Sequence, residues 1–409
     1  VKGIVQAVGF RPFIYREAVK NNLTGYVKNI GPGVEIVIDD KNFAEIIKNK
    51  KPPLARIDSI EVEKISRKIK FKTFEIKKST ETKGIPQIPP DIFLCQDCLD
   101  ELRDCANRRH NYYFITCTNC GPRFSMIFDF PYDRPYTSMK EFEMCDNCRE
   151  EYTNPLDRRY HAQTIACKDC GPDLFFIDRI KDKKIINDHD INNAIDLACE
   201  KIKKGKVVAV KGIGGFHLCS RTDKKSVERL RKLKLNRPDK PFAIMAKDID
   251  MIKNLVELNE KKKELLKSPQ RPIVVLQKKD PEQLKDVSEL DSLGIMLPYT
   301  ALHYLIFDYI DEPLIMTSAN ISGNPLAIKD SDLKGIDYLL THNRKIINRC
   351  DDSVIKVIEY NKNDEKKFHP LFLRRSRGYT PKAFHIKNKN SIPTTALGAE
   401  LKNVFAVLK

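Results

Sequence analysis

The sequence predicts a multidomain chain of α/β and α+β units, interrupted by a small cysteine-knuckle insert. Three observations carry this. The 409 residues exceed what one ordinary hydrophobic core organises. Strand-like and helix-like apolar patterns occupy residues 1–78 and 190–383. Between them, four Cys-x-x-Cys pairs crowd into residues 91–176.

The N-terminal unit reads as strand, helix and strand at Val1–Val5, Phe13–Asn21 and Gly33–Ile38. The first turn carries Gln6, Ala7, Val8, Gly9, Phe10 and Arg11. A strand-to-helix turn with glycine aims backbone N–H groups and the helix dipole at an anion, and an arginine adds a bidentate clamp. Residues 79–90, closing on Ile88-Pro89-Pro90, read as a linker.

Eight of the twelve cysteines form the insert's four pairs: Cys95/Cys98, Cys117/Cys120, Cys145/Cys148 and Cys167/Cys170. The second two pairs repeat the first two fifty residues later, with Arg108-Arg109 matching Arg158-Arg159 and Cys-Gly-Pro matching Cys-Gly-Pro. This is an internal duplication. Two such pairs per site place four thiolates around a tetrahedral metal, which suits two structural Zn2+ ions with closed shells. Sequential pairing, one site per repeat, and interleaved pairing are both compatible with the spacing. Cys105 faces Pro155 in the second copy and is not expected as a ligand. Cys199, Cys219 and Cys350 read as buried thiols.

The third unit alternates helix and strand: a helix to Lys204, a strand at Val207–Val210, then Lys211 and the glycine-rich Gly212–Gly215. Polar clusters follow. They are Lys234, Arg237 and Lys240 in a proline-stiffened loop, Ser318 and Asn320 after a strand at Pro313–Met316, then Arg344, Asp351, Ser353, Arg374 and Arg375. Each cluster alone suits a loop or a cap, but together they form one polar set along a single α/β unit.

Composition narrows the classes. With 41% hydrophobic and 32% charged residues, the chain has the make-up of a soluble globular protein. Apolar runs are strand-sized, no signal-peptide pattern opens the sequence, and the expected setting is cytoplasmic with no membrane partner. The net charge of +17 is spread along the chain and interleaved with acidic residues, so it reads as a solvated surface. Residue 1 falls inside a strand-like run and Val404–Lys409 reads as another, so the chain is expected to continue beyond both.

Val5-Gln6-Ala7-Val8-Gly9-Phe10-Arg11 with Gly25-Tyr26-Val27-Lys28-Asn29 resembles the signature of acylphosphatases, with Ala7 where that family usually has glycine. The resemblance implies an acylphosphatase-like α/β sandwich in which Arg11 binds the phosphoryl group and Asn29 orients the attacking water. Ser318-Ala319-Asn320 and the basic loop resemble the S-x-N and K-x-R motifs of YrdC-like α/β domains, which form carbamoyl-type adenylates from ATP. The K-x-R match is imperfect, since Lys234 stands one position too early. The series, closed by Gly398-Ala399-Glu400-Leu401-Lys402-Asn403, resembles the HypF family of [NiFe]-hydrogenase maturation carbamoyltransferases. In that family the last motif opens a further transfer domain, of which residues 392–409 would be the start.

The resemblance implies that carbamoyl phosphate is hydrolysed to carbamate. Carbamate and Mg2+-bound ATP then give carbamoyl adenylate, and a cysteine of a maturation partner protein receives the carbamoyl group. Two other readings compete: a threonylcarbamoyl-adenylate synthase of tRNA modification and an RNA-binding zinc protein. Neither explains the first signature, and the knuckles lack the interleaved aromatic and basic residues of nucleic-acid binders, so a nucleic-acid partner is not expected.

Overall fold

The computed structural model describes all residues except 7, 31–32, 66–70, 79–87, 130–131, 187–192, 236–238, 321–323, 363–364, 383–393, 398–404 and 409. Ala7, Arg237, most of the expected linker and the Gly398–Asn403 motif therefore lie outside the described residues. Among those described, no helix is long and apolar enough to cross a membrane.

Alternation of apolar and polar residues makes the N-terminal strands amphipathic, as in Val27 (buried) beside Lys28 (half-buried). They form a five-stranded sheet in the order Arg56–Ser59, Lys2–Ile4, Gly33–Ile38, Gly25–Ile30 and Phe74–Ile76. The helices Phe10–Lys20 and Phe43–Lys50 bury Phe10, Phe13, Ile14, Phe43 and Ile47 in a common core with Ile4, Val27 and Val34. The first helix begins three residues before the expected Phe13, because Gly9 turns the chain at φ 70° and the turn leads directly into it.

An 11-stranded mixed sheet dominates the rest. Its order is Glu365–Arg374, Val354–Lys362, Ile273–Gln277, Ser292–Met296, Ala243–Met245, Leu314–Ser318, Phe216–Arg221, Val208–Lys211, Tyr338–His342, Leu174–Asp178 and Lys183–Ile186. Both faces are covered, so its central strands are buried on both sides and largely apolar. Val208 and Val210 enter one core with the helices Asn193–Lys203 and Ala301–Tyr309. Ala209 enters the other with Val227 and Leu230 of Lys224–Leu233 and Leu266 of Glu260–Lys267. The sheet takes in Leu174–Ile186, upstream of the start expected at residue 190, because Leu174–Asp178 pairs antiparallel with Tyr338–His342. The linker expected over 79–90 also ends early: Pro89 and Pro90 are buried, and the Asp91 carboxylate accepts from the N–H of Arg123 and the N–H and hydroxyl of Ser125.

The doubled insert has little secondary structure of its own beyond the two helices Gln96–Arg103 and Asp146–Thr153. Exchanged arginines brace it instead. Arg109 of the first copy donates to Glu151 and to the Ala166 carbonyl of the second, at 2.5 and 2.9 Å. Fifty residues on, Arg159 donates to Glu101 and, at 3.1 Å, to the Thr116 carbonyl of the first. Arg108 reaches Cys148 Sγ at 2.7 Å, and Arg158 reaches Cys98 Sγ at 3.3 Å. The copies thus clasp each other about an approximate twofold axis. Burial opposes ionisation of Glu101, but Arg159 and Arg158 outweigh it and hold its pKa below the usual value. Removing one partner of such a pair strands the other, a loss of about 3–5 kcal/mol for fully buried ion pairs and less here, where Glu101 keeps some contact with solvent.

The exchange predicts damage in the opposite copy. Arg158→Ala should expose Cys95, Cys98, Cys117 and Cys120 to alkylation first, and Arg108→Ala should expose Cys145, Cys148, Cys167 and Cys170 first. Time-resolved mass-spectrometric mapping of alkylated cysteines checks this; labelling confined to the mutated copy contradicts it.

Candidate functional site

The cysteines resolve into two clusters, one per repeat: Cys95, Cys98, Cys117 and Cys120, then Cys145, Cys148, Cys167 and Cys170. Pairing is therefore sequential. Sulfur separations of 3.6 Å (Cys95–Cys117), 3.7 Å (Cys98–Cys120) and 3.8 Å (Cys117–Cys120) are far beyond a disulfide bond. They match the spacing of about 3.8 Å between sulfurs held at about 2.3 Å around tetrahedral zinc. The second cluster repeats this at 3.7 Å (Cys145–Cys167) and 3.8 Å (Cys167–Cys170). The donor set fits two structural zinc ions. Cys105 lies outside both, exposed and 3.7 Å from His110 Nε2.

Glycine after each knuckle serves two different ends. Gly121 adopts φ 91°, whereas Gly171 is needed for space, since a Cβ there would lie 1.8 Å from the Tyr112 hydroxyl.

The N-terminal turn faces the first knuckle. Gly9 caps the helix Phe10–Lys20 without a capping side chain, leaving first-turn N–H groups for an anion. A Cβ on Gly9 would stand 3.1 Å from Thr118 Oγ1, so the turn and the knuckle are in contact. Val8 and Phe10 are buried beneath, and Gln6 Nε2 ties the turn to the Gly33 carbonyl at 3.0 Å. Arg11 and Asn29 both line an open cleft of about 600 Å³, mouth included. The Asn29 carboxamide oxygen is buried and has no hydrogen-bond partner among the described residues, a costly state for a polar atom unless a ligand or water completes it.

The insert supplies the opposite wall: Tyr132, Asp133, Tyr160, His161 and Gln163. Burial lowers the Arg11 pKa, while Asp133, Tyr160 and Tyr152 support its charge. Burial, then the Arg11 charge, depress His161 to about 4, so its ring is neutral at pH 7. None of these wall residues was expected from sequence.

In the large domain Lys211 and Arg344 of the candidate residues lie around Gly212–Phe216. Lys211 Nζ donates to the His342 carbonyl at 2.8 Å. Arg344, 1% exposed, donates to the Ile213 carbonyl at 3.0 Å. The Cys350 N–H meets the Gly214 carbonyl, and the Ala319 N–H meets the Phe216 carbonyl. A Cβ on Gly214 would lie 2.4 Å from the Cys350 carbonyl oxygen, so these glycines permit close backbone approach. Lys234, buried in spite of the irregular motif spacing, donates to the Ser318 carbonyl at 2.6 Å, and Ser318 Oγ donates to Asn320 Oδ1 at 2.7 Å.

A buried triad that the sequence did not reveal completes the core of this region. Asp352 accepts from His217 Nε2 at 2.7 Å and from Arg377 Nε at 2.8 Å, and the Arg377 guanidinium lies 3.5 Å from the centre of the Tyr299 ring. Burial alone would raise the Asp352 pKa, but His217 and Arg377 together drive it far below the carboxylate range. Ser353 Oγ donates to the Arg377 carbonyl and accepts from the Ser376 N–H, and the Asp351 carbonyl accepts from the Arg377 N–H. Arg374 reaches the Asp352 carbonyl at 3.3 Å. Arg375 donates to the Tyr379 and Lys382 carbonyls, and Lys240 is exposed, its carbonyl accepting from Arg231 at 3.3 Å.

Comparison with known proteins follows the same three parts. Family models described as acylphosphatase, HypF finger and telomere recombination match residues 1–76, then 94–127 with 144–177, then 200–376. Over its full length the chain is 47% identical to a probable carbamoyltransferase HypF of Methanocaldococcus jannaschii and 42% identical to a carbamoyltransferase HypF of Synechocystis, covering 53% of each. It superposes on a crystal structure of full-length HypF in the phosphate- and nucleotide-bound form with a TM-score of 0.89 at 41% identity, covering 100% of this chain and 53% of that one. For T. kodakarensis HypF the TM-score is 0.87 at 45% identity, covering 100% and 52%. The chain spans about half the length of the curated relatives it matches. Across all three modules, and over its full length, the chain is similar to HypF proteins.

Proposed function

We propose that this chain carries the first two stages of a hydrogenase-maturation carbamoyl transfer. At the N-terminal site, water oriented by Asn29 attacks the phosphorus of carbamoyl phosphate while Arg11 and the turn at Gln6–Phe10 neutralise the phosphoryl oxygens. The P–O bond to the acyl oxygen breaks, leaving carbamate and phosphate. At the large-domain site, carbamate attacks the α-phosphate of ATP, giving carbamoyl adenylate and pyrophosphate. Positioning and charge neutralisation do the work at both sites.

The observation that carries the reading is the orphaned Asn29 oxygen beside Arg11 in a walled cleft. Binding of both phosphate and a nucleotide by a solved relative supports two anion sites. Lys211, Lys234, Arg237, Lys240, Arg344, Arg374 and Arg375 would supply the cationic groups for ATP. Ser318, Asn320, Asp351 and Ser353 would fix carbamate and the nucleotide. Magnesium carried by the triphosphate would neutralise part of its charge, with the protein supplying only a fraction of the coordination shell. A cysteine of a maturation partner protein then accepts the carbamoyl group.

Pyrophosphate release from ATP and magnesium should require carbamoyl phosphate and should fall roughly a hundredfold or more in Arg11→Ala. Added carbamate, prepared fresh, should restore release in that variant. Release that needs only threonine and bicarbonate would move the function to tRNA modification.

Lys211 predicts the pH profile of the second site. Burial pushes its pKa down to about 8, Asp330 raising it and Arg344 lowering it further, with the buried His342 adjacent. The cation is present below that value and lost as pH rises through it. ATP affinity, measured by calorimetry, should therefore weaken between about pH 7.5 and 9, and Lys211→Arg should flatten the decline because arginine keeps its charge there.

A further inference from the structure

The duplication places two equivalent notches on the insert, each formed by a turn of one copy over the knuckle of the other. One is lined by Asn111, Tyr112 and Tyr113 against Lys168, Pro172 and Asp173. Its mate is lined by His161, Ala162 and Gln163 against Thr118 and Arg123, and is the wall of the N-terminal cleft. Asn111 and His161 share the same left-handed backbone, φ 55° and 54°. The side chains, however, have diverged. In the first notch Tyr112 fills the space that Gly171 leaves, and Tyr113 stacks on His342 of the large sheet at 5.9 Å. That notch is a packing joint. In the second, Ala162 and Gln163 replace the two tyrosines and leave the cleft open in front of Arg11 and Asn29.

The segment between the copies adds Asp133 to the open notch. Gln163 Nε2 lies 3.5 Å from its Oδ1 and 3.1 Å from the His161 carbonyl, so the three residues form one patch. A carboxylate beside an anion site repels acyl phosphates in general. Arg11 offsets part of that charge, and a substrate that brings N–H donors on its acyl end offsets more. Carbamoyl phosphate carries an amino group there; acetyl phosphate carries a methyl group.

Resting on the reading of the N-terminal site given above, we propose that Asp133, supported by Gln163 and His161, accepts hydrogen bonds from the amino group of the acyl phosphate. The insert is thereby the selectivity wall of the first site: the second copy's divergence opens the notch, and the segment between the copies supplies its carboxylate.

The test compares kcat/KM for carbamoyl phosphate and acetyl phosphate, by phosphate release, in the 409-residue chain. Asp133→Asn keeps shape and removes charge. His161→Asn installs the first copy's residue at a backbone geometry asparagine tolerates. Retention of two zinc ions per chain reports that each variant is folded. The preference for carbamoyl phosphate should drop about tenfold or more in Asp133→Asn, the scale of a lost charge-assisted hydrogen bond, with acetyl phosphate turnover rising as the repulsion goes. His161→Asn should lower the preference severalfold. If both substrates change in step, Asp133 acts only through Arg11 and the proposal is wrong; an unchanged ratio overturns it equally. Failure of the underlying reading is separate: phosphate release from both substrates would then survive Arg11→Ala.

Discussion

Each half of the insert is held by arginines of the other half. Arg109 and Arg159 are almost wholly buried, and the Glu151 and Glu101 carboxylates they engage belong to the opposite copy. A unit of this size with so little helix cannot bury enough apolar surface to fix its loops. Its apolar side chains are buried in part against the large sheet, and metal clusters and crossed charge pairs add the bracing that its short helices do not supply.

The rest of the molecule depends on that rigidity. On one side, Thr118 of the first knuckle meets Gly9 of the N-terminal turn, and residues 160–163 wall the cleft. On the other, Tyr113 stacks on His342, and the Asn348 amide donates to the Phe124 and Ile127 carbonyls at 2.9 and 2.7 Å. Leu94, Leu102 and Ile115 of the insert share a core with Val208 and Leu340 of the large sheet. The insert is thus a spacer that touches both candidate sites and shapes one of them.

Much of this could be read from sequence where the signal was local. Cys-x-x-Cys pairs are short-range, so the ligand set and the duplication were visible, and so was the turn at Gln6–Arg11, though not that the helix begins inside it at Phe10. The match of Arg108-Arg109 to Arg158-Arg159 was visible as repetition, yet not as exchange, because a repeat pattern is the same whether copies stand apart or interlock. His217 escaped notice because its partner Asp352 is 135 residues away. His161 and Gln163 carry no repeat signal, because a duplication marks what the copies share and the cleft is lined by what they do not. Leu174–Asp178 was hidden for another reason: a run of four apolar residues directly after a knuckle does not reveal which side it pairs with.

The central claim is that the two metal clusters form one mechanical unit on which the first site depends. Stepwise withdrawal of zinc, with the released metal counted by a colorimetric chelator and acetyl phosphate hydrolysis followed in the same sample, tests it most directly. The account predicts that both ions leave in a single cooperative step and that the first site's KM changes in that step. Two independent release steps, with KM constant throughout, would contradict it.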